Sequence, residues 1–144
     1  MHTTDMEYLF ARRILTLANS ITKSRNADIR ALDLTSAQAD ALHFFVREPG
    51  RSAVDLKAHL HISHQAARGL IERMTDKGLL QSVPSGEDAR YKLVSATDKG
   101  LAVHERMLRN GAHAGSHLLR GMNRQQRAQL LTLLELAQQN LEEA

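Results

Sequence analysis

Apolar residues recur along this chain at the three- and four-residue spacing of helices, with stop signals between the runs. Met6, Leu9, Phe10, Ile14, Leu17 and Ile21 make one such stripe, which predicts a long amphipathic first helix from Asp5 to Arg25. Thr35 reads as the cap of a second helix with Ala39, Leu42, Phe45 and Val46 inward, stopped by Glu48-Pro49-Gly50. Ser52-Ala53-Val54-Asp55 has the acidic form of a capping box and opens a short third helix, with Leu56 and Leu60 facing in. Ser63 caps a fourth helix that buries Ala67, Leu70, Ile71 and Met74 and stops at Lys77-Gly78. Glycine suits the left-handed residue that follows a helix.

The period then shortens. Leu79 to Val83 and Tyr91 to Ser95 read as two short strands around a Pro84-Ser85-Gly86 turn. Thr97-Asp98 caps a fifth helix, with its acid favourably near the N-terminus. Gly111 and Gly115 weaken that helix and Gly121 ends it. Asn123 caps a last helix whose seam is Leu130, Leu133, Leu134, Ala137 and Leu141. The fold class predicted is mainly α with a small β-hairpin.

Composition agrees. The 144 residues are 42% hydrophobic, enough for one domain with a real core, and only 3% aromatic with two prolines. A net charge of +3 and a pI near 9.6 permit a polyanionic partner. The absence of cysteine excludes disulfides, a thiol nucleophile and a thiolate metal site. No apolar run approaches the roughly 20 residues that cross a bilayer. The start, MHTTDMEYLF, carries acid where a signal peptide carries positive charge. A soluble cytoplasmic protein without membrane contact is the expectation.

The chemistry concentrates in two places. Residues 58–67 span a short helix, a turn and a capped second helix, with small Ala58 and Ala67 at the crossing and Leu60, Ile62 and Leu70 sealing it. Ser63, His64, Gln65 and Arg68 then lie on the outward first turns of the second helix, which a helix-turn-helix presents to a major groove. Arg forks onto guanine, Gln pairs with adenine, and Ser63 with free backbone N–H groups holds a phosphate. Arg73 continues the same helix. In the hairpin, an Arg90 that opens its strand has Asp88 on the same side, two residues earlier. A carboxylate–guanidinium contact would steady the arginine for a minor groove, with Lys92 nearer the backbone.

The run from Leu34 through Gly100 resembles the winged helix-turn-helix of MarR-type (multiple antibiotic resistance regulator) transcription factors. Matching residues include Leu34-Thr35-Ser36-Ala37-Gln38, Asp55-Leu56, Leu60, Ile62-Ser63, Ala66, Met74 and Lys77-Gly78-Leu79-Leu80. The wing pattern Glu87-Asp88-x-Arg90, Leu93 and Thr97-x-x-Gly100 is the most specific part. Two positions depart: His61 holds a turn site often taken by Gly, and Ala96 replaces a larger aliphatic residue, predicting looser packing under the wing.

The resemblance implies a winged helix-turn-helix over residues 35–97, an N-terminal dimerisation helix in 1–34 and C-terminal dimerisation helices in 98–144. It implies a homodimer on a pseudo-palindromic double-stranded DNA operator, usually repressing. The DNA set would be Ser63, His64, Gln65, Arg68, Arg73, Asp88, Arg90 and Lys92, with Arg90 in the minor groove and Asp88 orienting it. The apolar stripes of the first and last helices independently suit pairing across a twofold axis. A small aromatic or lipophilic acid is the effector the resemblance implies, with Arg13, Leu17, Asp40, His43, Phe44 and Met107 as lining candidates.

Other classes have less support. There is no Gly-rich phosphate loop, no HExxH and no nucleophile beside an arranged base, so no enzyme is expected. A helical protein-interaction adaptor would keep the stripes but has no use for a basic wing. His113 and His117 stand one helical turn apart, a spacing that two imidazoles on one metal require. With eight histidines in the chain such pairs arise by chance, so neither metal nor cofactor is expected. A metal-responsive regulator of the same fold remains the alternative.

Overall fold

A computed structural model of the chain describes residues 2–144. Its elements are α1 (Thr3–Ala31), α2 (Ser36–Arg47), α3 (Ala53–Leu60), α4 (His64–Asp76), β1 (Leu80–Pro84), β2 (Lys92–Ala96), α5 (Asp98–Leu118) and α6 (Arg124–Glu142). The mainly helical class with a single hairpin is as predicted. Helix α1 runs six residues past the expected Arg25, because Ile29 near its end is buried and tertiary contact holds the last turn. Asp33 then takes a left-handed conformation, φ +60°, and the Leu34 N–H closes onto the Ile29 carbonyl at 3.1 Å.

Caps read from the sequence are in place. Thr35 and Gln38 form a reciprocal box at α2, satisfying two backbone N–H groups that would lack partners. At α3 the Asp55 carboxylate accepts both the Ser52 N–H, at 2.9 Å, and the Ser52 hydroxyl, at 3.1 Å. At the far end of α3, His61 adopts φ +54° and the Ile62 N–H reaches the Lys57 carbonyl at 3.2 Å. A histidine therefore carries the left-handed turn that Gly more often supplies. Gly78, φ +76°, does the same after α4.

The core of this part of the chain gathers Leu42 and Phe45 from α2, Leu56 from α3, Ala67 and Met74 from α4, and Leu80 and Val94 from the hairpin. Ala58 is not part of it. It faces solvent on α3, and Ala53, the first residue of that helix, packs against the core instead. The strands pair antiparallel from Leu80↔Ala96 to Pro84↔Lys92, each shifted one residue C-terminal of the prediction. Leu79 falls outside β1 because the α4 exit captures its N–H, at 2.9 Å from the Met74 carbonyl. The Pro84-Ser85-Gly86 turn is only the start of a longer loop, residues 85–91.

Two contacts seat the hairpin. Val94 exchanges backbone hydrogen bonds with the α2–α3 link, donating to the Arg51 carbonyl at 2.8 Å and accepting from the Gly50 N–H at 2.9 Å. At the start of α5, a Cβ on Gly100 would lie 2.1 Å from the Leu79 carbonyl oxygen, so only glycine lets the helix approach the residue that leads into β1. The Ala96 methyl sits 3.4 Å from that same position and packs against the core. Ala96 itself is partly buried.

The chain divides into two compact units, one ending at Gly111 and one comprising Ala112–Ala144. In the second, α5 continues unbroken through Gly115 and ends at Leu118, three residues before the expected Gly121. Asn123 caps α6 in a reciprocal box with Gln126. No residue of α6 is buried, and Leu131, Leu133, Leu134, Leu136 and Leu141 are exposed. The α1 stripe of Met6, Leu9, Phe10, Ile14, Leu17 and Ile21 is likewise exposed.

Candidate nucleic-acid interface

Ser63 starts α4 by accepting the Ala66 N–H at 3.0 Å on its hydroxyl oxygen. His64, Gln65 and Arg68 stand exposed on the first turns that follow. Arg73 is exposed one face further along, and its guanidinium lies 3.3 Å from where Gly69 would carry a Cβ. A methyl at 69 would ask that flexible guanidinium to give by only a few tenths of an ångström.

The hairpin loop holds its arginine by a local device. Arg90 donates from Nη2 to Asp88 Oδ2 at 2.9 Å and from Nε to both oxygens at 3.1 and 3.2 Å. Its backbone N–H also reaches Asp88 Oδ1 at 3.0 Å. Arg90 does not open β2, which begins two residues later at Lys92. The pair arises because an aspartate readily bonds the N–H two residues on, closing an Asx turn, and not from strand alternation. The Ser85 N–H closes the loop on the Tyr91 carbonyl at 2.8 Å. The Arg90 guanidinium holds the Asp88 carboxyl below its usual range, and the carboxylate raises the arginine in turn. With the Arg90 side chain 87% exposed, this pair orients the cation and adds little to stability.

A cavity of about 560 Å³ joins the two pieces. It is lined by His64, Arg68 and Glu72 of α4 and by Arg90, Tyr91 and Lys92 of the hairpin, among others. A second hollow, about 570 Å³, runs along α4 past Ser63, Gln65, Arg68 and Arg73. The expected helix and hairpin cations thus share one concave face. Glu72 and Tyr91 on that face were not anticipated; single residues between two assigned clusters give no periodic signal.

The six effector candidates are not gathered in these hollows. Arg13 and Leu17 are exposed on α1. Asp40 is held by Arg25 at 2.6 Å, which also donates to the Ser36 hydroxyl at 2.8 Å. Phe44 is buried, edge-on to Phe45 and stacked on His59, and Met107 packs against the core. His43 Nδ1 lies 2.9 Å from Nε2 of His104, a buried residue of α5 that the sequence reading missed. Burial lowers the His104 pKa, and the charges of His43 and Arg47 lower it further.

His113 and His117 bring their Nε2 atoms to 3.1 Å, but Arg120 sits 3.0 Å from His117 Nδ1. Among the described residues no three His, Cys, Asp or Glu side chains are grouped to hold a metal ion. None of the helices is long and apolar enough to cross a membrane, among the described residues.

A capped helix after a tight turn, flanked by a hairpin with a pinned arginine, defines a winged helix-turn-helix of the DNA-binding class. The MarR family model matches residues 32–90. The chain is 24% identical over 131 residues to YybA, an uncharacterised HTH-type transcriptional regulator of Bacillus subtilis (strain 168), covering 91% of this chain and 87% of that one. It is 34% identical over 96 residues to BadR, a transcriptional activatory protein of Rhodopseudomonas palustris, covering 65% of this chain and 55% of BadR. Its fold matches a MarR variant from E. coli with a TM-score of 0.74 at 25% identity, covering 88% of this chain and 94% of that one. The same E. coli protein complexed with operator DNA matches with a TM-score of 0.72 at 23% identity, over 95% and 99% of the two chains. The family-model match, the similar HTH-type regulators and the MarR structures together support a MarR-family winged-helix transcriptional regulator.

Proposed function

We propose that this regulator is a homodimeric repressor that grips a pseudo-palindromic operator and is released by a small aromatic or lipophilic acid. The observation that carries the DNA reading is the shared concave face, where the α4 start and the pinned Arg90 converge. On this reading Gln65 and Arg68 meet base edges in the major groove, Ser63, His64, Arg73 and Lys92 meet phosphates, and Arg90 enters the minor groove. Asp88 makes no DNA contact of its own and fixes the arginine.

Residues 35–97 form the reading lobe, with the helices of 1–34 and 98–144 as dimerisation segments. The unpartnered apolar faces of α1 and α6 support this, since each exposes several large aliphatic side chains. Two lobes one helical turn apart would read the two half-sites together. A DNA partner puts the protein in the cytoplasm. For the effector, Arg13 and His43 offer a cation and an imidazole beside apolar side chains, a combination that suits an aromatic carboxylate.

Activation is the second reading for the regulatory sign, favoured by BadR being named an activatory protein. The DNA assignment is tested by anisotropy with a labelled duplex selected by the wild-type chain from a randomised pool. Binding is expected to weaken steeply with salt. Arg90→Ala should bind about tenfold or more weakly with an unchanged circular dichroism spectrum, and Arg68→Ala should change base preference at one position. Wild-type affinity in Arg90→Ala would remove the wing from the interface.

A further inference from the structure

A helix that reads a groove must be held at a fixed tilt as well as capped, and the far end of α4 is held by two lysines. Lys77 follows the helix directly. Its ammonium donates to the backbone carbonyl of Asp33 and to Gln38 Oε1, the latter at 3.3 Å, with the Asp33 carboxylate 3.7 Å away. Gln38 is buried, and the same Oε1 accepts the Thr35 N–H at 3.2 Å. The lysine is thereby joined to the capping box that starts α2.

From the other side, the Lys99 ammonium in the first turn of α5 donates to the Lys77 carbonyl at 3.0 Å. The Thr97 hydroxyl donates to the Gly78 carbonyl, and the Thr97 N–H to Leu79 at 3.1 Å. The α1–α2 junction, the start of α5 and the lead into β1 therefore all converge on the exit of α4. Cations also suit this end, where the helix dipole is negative and the last carbonyls lack internal donors.

We propose that Lys77 and Lys99 are positioning residues for DNA binding: they set the tilt of α4 against the α1–α2 junction and α5 without touching DNA. The inference rests on α4 being the helix that enters the groove. A contact set must be held to within about 0.5 Å of its productive geometry. Long flexible side chains bonded to fixed carbonyls can hold it only while both ends stay in place.

The test uses the full chain and the selected duplex, titrated across a range of salt, with thermal melts of each variant alongside. Lys77→Met is expected to weaken binding about tenfold, with the slope of log Kd against log salt unchanged, because no phosphate contact is lost. Lys77→Arg keeps charge and donors and should recover most of the affinity. Lys99→Met should show a smaller loss with the same unchanged slope. A slope reduced by about 1 in either Met variant would make that lysine a phosphate contact and overturn the proposal. Should Lys77→Met not fold, Lys99→Met and Lys77→Arg decide the question by the same criteria. Arg68→Ala separates the two levels. If it too binds normally, the reading of α4 fails and the clamp with it. If it binds weakly while both Met variants match wild type, the clamp alone is refuted.

Discussion

Arg90 directs its backbone N–H, Nε and Nη2 at the one carboxylate of Asp88, two residues away, and remains largely exposed. Ordering a long side chain on binding costs roughly 0.5–1.5 kcal/mol in general, and a residue already held by its neighbour avoids part of that. Gly100 acts in the opposite sense, by lacking a side chain. A methyl group there would meet the Leu79 carbonyl oxygen at 2.1 Å, an approach that backbone must move to relieve. Gly100→Ala is therefore expected to destabilise the fold by about 3 kcal/mol, the upper end of overpacking costs. Denaturant melts would check it, and an unchanged midpoint would show that α5 can shift freely against the hairpin. Both residues belong to the wing pattern legible in the sequence. The reason for the glycine was not, because the opposing carbonyl comes from residues some twenty positions earlier.

Among the elements, helix starts were the most legible. Thr35, Ser52, Ser63 and Asn123 each cap where expected, since a cap depends on the next few residues alone. Helix ends and strand bounds moved. Ile29 is kept helical by core contact, and the hairpin is shifted by the claim of α4 on the Leu79 N–H. The contact between α2 and α5 was not legible at all, for His43 and His104 meet only through tertiary packing. It carries a pH consequence. Burial lowers the folded pKa of His104, so on acidification the unfolded chain takes up its proton first. The stability that the neutral imidazole allows is full above the ordinary histidine pKa, about 6.5, and is lost as pH falls through the lower folded value. Melting temperature should drop as pH falls below about 6.5 in the wild type, and His104→Gln should flatten that drop. Parallel profiles for the two proteins would assign the acid sensitivity to another group.

At the scale of the whole molecule, the exposed stripes of α1 and α6 carry the expectation of a dimer. Ile14→Asp with Leu134→Asp should give a folded monomer at micromolar concentration, measured by light scattering after gel filtration. Its duplex affinity should fall about a hundredfold or more, as two linked reading heads become independent. A dimer of wild-type mass in that double variant would remove these stripes from the interface. The sequence by itself determined the order of elements, the helix starts and the wing, because periodicity, caps and short motifs are local properties. Only the tertiary structure decided which charged side chains are held. Arg90 is oriented by a loop rather than a strand, Asp40 is already held by Arg25, and the exit of α4 is fastened by Lys77 and Lys99. Apart from the short-range Asp88–Arg90 link, those contacts join residues far apart along the chain, and no spacing rule fixes a distance that packing alone sets.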